Sequence, residues 1–162
     1  MRLSVRSLLP LLALGAALGH SSGPAAAAGR YDWPLQPDPE VTAPFDPPPQ
    51  RWQPGHRGVD LGASEGQPVL AAGDGIVAFA GEVAGKPVVS IDHGTVRTTY
   101  EPVVASVSAG QAVHVGSPIG TVAAGHSGCP VVACLHWGAK RGAVYLDPLS
   151  LLEPRVVRLL PL

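Results

Sequence analysis

The chain has 162 residues, a length that suits one domain, with 11 basic and 12 acidic residues and a net charge of −1. It has no basic stripe, which argues against nucleic acid as a partner. The 20 Gly and 18 Pro, set against 2 Phe, 3 Trp and 3 Tyr, point to short strands and frequent turns rather than long amphipathic helices.

The N-terminus reads as a secretory signal peptide over residues 1–28. Arg2 and Arg6 form a basic start, residues 8–18 are an apolar run, and Ala26, Ala27 and Ala28 offer a small-residue cleavage site. The run is too short for a membrane span, which takes about 20 residues. Without Arg2 and Arg6 the remaining chain keeps 9 basic and 12 acidic residues, a net charge of −3. Nothing after residue 28 is apolar and long enough to cross a bilayer, so the expected location is secreted or cell envelope.

Residues 29–54 are Pro-rich and read as an extended lead-in that wraps a domain, anchored by Trp33, Phe45 and Trp52. From Val59 onward strands alternate with turns. Residues 68–71, 76–80, 88–91, 96–100, 113–115, 118–122 and 135–138 read as strands, and glycines punctuate them. Only residues 148–160 look weakly helical. The expected fold is all-β: a compact antiparallel β barrel-sandwich over residues 55–152, with a tail at 153–162.

One constellation carries chemistry. His56 and Asp60 are four residues apart, a spacing that puts both side chains on one side, and Gly58 lets the chain pass close to an ion. His136 follows Cys134 by two residues, so on a strand the two share a face. Two imidazoles and one carboxylate are a usual three-ligand set for catalytic Zn2+, with water in the fourth position. His114 alternates with Val113 and Val115 and reads as a solvated strand residue. His20 leaves with the signal peptide.

These residues belong to a longer ordered pattern. It comprises His56-Arg57-Gly58-Val59-Asp60-Leu61, residues 66–77 (GQPVLAAGDGIV), His93-Gly94, Thr98-Thr99-Tyr100, residues 110–113 (GQAV), residues 116–120 (GSPIG) and Leu135-His136-Trp137. From about Trp52 to Leu151 the chain resembles the lysostaphin-type, or LytM-type, zinc endopeptidases of metallopeptidase family 23. The resemblance implies a small antiparallel β fold with a groove over one zinc ion, and cleavage of bacterial peptidoglycan peptides. It puts the zinc ligands on His56, Asp60 and His136, and gives His93 no metal role.

Two family histidines that position water and stabilise the oxyanion are replaced here, one by Pro102 and one by Cys134. Hydrolysis needs a proton carrier and an oxyanion donor beyond the three ligands. Three residues are candidates for that work: His126 in the glycine-rich loop before the last ligand strand, Glu101 beside the lost position, and Tyr100 through its hydroxyl. Cys134 has three readings: a disulfide with Cys129, the default for an exported pair; a fourth zinc ligand that would close the site; or a free thiol.

The functional expectation is an exported zinc metalloendopeptidase acting on peptidoglycan peptides of the cell envelope. The alternatives are a catalytically degenerate module of the same fold that binds cell wall or regulates another hydrolase, and a domain in which zinc and a disulfide only stabilise the fold.

Overall fold

The computed structural model describes residues 31–50, 52–126 and 128–152; residues 1–28, which read as a signal peptide, and the tail at 153–162 lie outside them. Among the described residues, eleven strands form two antiparallel sheets. They are β1 (Val41–Ala43), β2 (Gly58–Ala63), β3 (Pro68–Leu70), β4 (Gly75–Val83), β5 (Lys86–Asp92), β6 (Arg97–Glu101), β7 (Val103–Ala105), β8 (Ala112–Val113), β9 (Pro118–Val122), β10 (Ala133–Arg141) and β11 (Val144–Leu146).

The larger sheet runs β1-β2-β10-β6-β5-β4-β8, with β11 pairing the far end of β10. Its outer strands do not pair with each other, so it stays open rather than closing as a barrel. The smaller sheet runs β3-β9-β7. Between the sheets lies one core that includes Val59, Leu61, Val89, Ile91, Tyr100, Leu135 and Trp137 from the larger sheet and Val69, Val103, Ile119 and Val122 from the smaller.

Strand parity separates the core from the site. Along β10, Leu135, Trp137 and Ala139 face inward and are buried, while His136, Gly138 and Lys140 take the opposite face. Register carries that face across the sheet: Asp60 and Glu101 are both directly opposite His136, and Thr99 is opposite Gly138. Tyr100, opposite Trp137, therefore belongs to the core face.

The lead-in packs on the domain, but not through all three expected aromatics. Leu35 is fully buried, Trp33 tilts against Trp137 at 6.3 Å between ring centres, and Phe45 packs on the core. Trp52 is 80% exposed and anchors nothing. Within the stretch 148–160 that reads as weakly helical, the described residues form a 3-10 turn, Pro148–Leu151, capped by the Asp147 carboxylate accepting from Leu149 N–H at 2.9 Å, and residues 153–160 lie outside the described residues. Among the described residues there is no α-helix.

Candidate metal centre

His56, Asp60 and His136 meet at one point. Asp60 Oδ1 lies 3.0 Å from His56 Nε2 and 2.9 Å from His136 Nδ1, and the two nitrogens are 3.1 Å apart. Cross-strand register supplies two of the three, because Asp60 on β2 faces His136 on β10. The third comes from the loop before β2. There His56 forms an isolated bridge with Asp46, with His56 N–H donating to the Asp46 carbonyl at 2.7 Å and the reverse bond at 3.0 Å. His56 Nδ1 donates to the Pro44 carbonyl at 2.6 Å. The Pro-rich lead-in thus orients a ring of the cluster, a role its composition does not reveal.

The bond to Pro44 fixes the neutral His56 tautomer with its proton on Nδ1 and leaves the Nε2 lone pair aimed at the cluster. Three electron-pair donors then crowd together, an arrangement that a cation between them relieves. A tetrahedral zinc ion with bonds of roughly 2.0–2.1 Å would separate such donors by about 3.4 Å. The observed spacing is within a few tenths of an ångström of that, so this donor set fits the ion. Gly58 makes room for the His136 ring: a Cβ there would lie 2.7 Å from His136 Nε2 and 2.5 Å from the Trp137 carbonyl oxygen.

Burial raises the pKa of the Asp60 carboxyl, yet hydrogen bonds from His136 and His126 and the charges of His126 and His56 outweigh it and bring it down to about 2. The carboxylate is therefore ionised at neutral pH, as a metal ligand must be.

His126 enters the same cluster from the β9–β10 loop. Its Nε2 is 3.1 Å from Asp60 Oδ2, and its ring stacks on His136 at 6.0 Å between centres. The side chain is only 10% exposed, and Nδ1 is buried with no hydrogen-bond partner among the described residues. Nearby, Cys129 and Cys134 are joined as a disulfide, with their Cα atoms 5.7 Å apart. That removes the reading of Cys134 as a fourth zinc ligand or a free thiol, because a disulfide sulfur carries no thiolate.

The other two candidates are placed differently. Glu101 shares the face of His136, but Lys86 Nζ donates to its carboxylate at 2.7 Å. Tyr100 is fully buried away from the cluster. Its hydroxyl accepts from Ala72 N–H at 3.0 Å and sits 2.9 Å from Thr98 Oγ1. The structure does not bring it to the site. Pro102, where the resemblance expects a histidine, is buried.

Three known proteins resemble the chain in different ways. An uncharacterized protein of Mycobacterium tuberculosis is 53% identical over 154 residues, covering 92% of this chain and 60% of that protein. Csd3 from Helicobacter pylori superposes with a TM-score of 0.63 at 26% identity, over 81% of this chain and 37% of Csd3. A zinc-containing peptidase from Vibrio cholerae gives a TM-score of 0.61 at 25% identity, over 72% of this chain and 38% of that one. The chain thus spans about three fifths of its mycobacterial relative and less than half of either solved structure. Residues 54–148, more than half of the chain, match the model of Peptidase family M23, and this stretch includes His56, Asp60 and His136. The chain belongs to Peptidase family M23, a family of metallopeptidases.

Proposed function

We propose that this protein is an exported zinc metalloendopeptidase acting on peptidoglycan peptides in the cell envelope. His56, Asp60 and His136 hold one Zn2+, and His126 handles the proton. The observation that carries this reading is the single-point convergence of the three donors, with His126 on the remaining oxygen of Asp60. The disulfide suits an exported chain, because oxidising compartments preserve such bonds.

When bound, zinc would supply a polarised carbonyl and a water of lowered pKa. The chain's own residues do the rest. Pro44 locks His56 in the ligating tautomer. Asp60 Oδ2 lies 3.1 Å from His126 Nε2 and holds that ring beside the cluster, where His126 is the residue assigned to proton transfer. His126 thereby takes over work that Pro102 and the bonded Cys134 cannot perform. Glu101, whose carboxylate accepts from Lys86 Nζ, is the weaker candidate for that work.

The second reading, a degenerate zinc module that binds cell wall or regulates another hydrolase, draws on Pro102 and Cys134. The two readings separate in one assay: release of peptides from purified cell walls by the zinc-loaded mature chain, with and without chelator. Chelator-sensitive release supports the enzyme. Bound zinc without release favours the module.

A further inference from the structure

On the outer face of the larger sheet, a groove leads away from the metal cluster along β10. Its first section, a cavity of about 240 Å³, is lined by His136, Glu101, Gly138 and Lys140. The second, about 470 Å³, reaches Pro47 and Pro48 of the lead-in. Arg57 and Tyr145 line both and form a common wall, with the Arg57 guanidinium 5.7 Å from the centre of the Tyr145 ring. Tyr145 stands opposite Lys140 in the β10–β11 register, so the wall and the lysine share one face.

Two features of this groove are not explained by folding. Gly138 forms its floor, yet a Cβ there would meet nothing closer than 3.8 Å, so packing does not demand glycine. What the missing side chain preserves is open space. The second feature is charge. Lys86 already neutralises the one carboxylate in the first section, Glu101. Lys140 has no carboxylate partner among the described residues, whereas the Arg57 guanidinium is already engaged, its Nη2 donating to the Gln53 carbonyl at 3.1 Å. The Lys140 ammonium is therefore left uncompensated in the groove, in a chain whose overall charge is −1.

We infer that this groove is a specificity subsite that receives a peptide bearing a free carboxylate, with Lys140 as its principal partner and the Arg57–Tyr145 wall beside it. The inference rests on the peptidase reading and names its substrate class. Lys140 is four residues along the strand from His136, about 13 Å at roughly 3.3 Å per residue. An extended peptide crossing the cluster would thus place the carboxylate roughly two to four residues from the scissile bond. An ammonium facing a carboxylate in a partly enclosed groove favours the charged ligand over its amide.

The test uses stem peptides released from purified peptidoglycan, either unmodified or with their carboxylates amidated by carbodiimide and ammonia. Affinity and hydrolysis are measured in the same samples for the zinc-loaded mature chain and for Lys140→Gln. The free-carboxylate form should bind about tenfold more tightly to wild type, and Lys140→Gln should bind both forms alike while keeping its zinc. A second variant, Gly138→Val, fills the floor and should weaken binding of both forms. Equal affinity of wild type for both forms, unchanged preference in Lys140→Gln, or no binding of either form would overturn the proposal. Hydrolysis without carboxylate preference would leave the peptidase reading standing while this proposal fails. Carboxylate-dependent binding without hydrolysis would do the reverse.

Discussion

His126 Nε2 sits 3.1 Å from Asp60 Oδ2, the oxygen that the cluster formed by His56 and His136 on Oδ1 leaves over. One carboxylate thus joins the three-residue group to a third histidine that comes from a separate loop. Replacing His126 with Gln should keep zinc content unchanged while lowering peptide release at least about a hundredfold, the usual scale for a lost general base. Metal analysis and wall-peptide release on the same preparation check both halves. Unchanged release would remove His126 from the chemistry.

The loop that carries His126 ends in the Cys129–Cys134 bridge. Closing so short a loop is worth about 2 kcal/mol of stability through the unfolded chain. A Cys129→Ser, Cys134→Ser double variant should lose about that much in denaturant unfolding. It should also lose much of the His126-dependent activity, because the loop is no longer pinned beside β10. Full activity in the double variant would show that the bridge does not position His126.

Gly58 and Gly138 lie opposite each other across β2 and β10 but answer to different constraints. An added Cβ at Gly58 would press to 2.5 Å on the Trp137 carbonyl oxygen and 2.7 Å on His136 Nε2. Gly58→Ala should cost about 1–3 kcal/mol and weaken zinc binding through the displaced His136 ring. Gly138→Ala, with 3.8 Å of clearance, should fold and bind zinc as wild type does. Isothermal unfolding with zinc titration separates the two.

His93 gives a pH dependence that does not involve the metal cluster. Its Nδ1 is 2.7 Å from the Asp74 carbonyl oxygen and its Nε2 is 2.8 Å from Thr98 Oγ1. Burial pushes its pKa below the ordinary 6.5, against the Asp74 hydrogen bond and the charges of Asp92 and Asp74, which raise it. The unfolded chain therefore protonates first as pH falls, and unfolding takes up a proton. The stability from this site is fully present above 6.5 and is lost as pH drops through the lowered folded value. The Asp60 contribution is lost only below 3.8, toward about 2, outside that window. For metal-free protein, wild type should lose stability between pH 7 and 5 more steeply than His93→Gln; parallel curves would contradict the assignment.

Much of the site was legible because it is local or patterned. The spacing of His56 and Asp60 and the Leu135-His136-Trp137 run mark the three residues, of which the β2–β10 register brings Asp60 and His136 together. His126 stood out as a histidine in a glycine-rich loop ahead of the last ligand strand. The side that Tyr100 presents depends on strand register. Only the pairing of Glu101 with His136 shows that its neighbour must face the core. Trp52 was misread because an aromatic in a Pro-rich stretch does not declare which side it presents. The buttress from Pro44 and Asp46 to His56 was invisible, since a carbonyl oxygen and a single-residue bridge leave no signal in residue types. The open barrel question also turned on edge strands β1 and β8, three and two residues long, too short to carry a pattern.

The most direct measurement is the zinc content of the purified mature chain at neutral pH, read alongside peptide release from cell walls before chelation, after chelation and after zinc is returned. The account predicts one zinc per chain, absent in His56→Ala, with release lost on chelation and restored by zinc. A metal-replete preparation that holds no zinc, or that releases wall peptides equally with and without chelator, would contradict it.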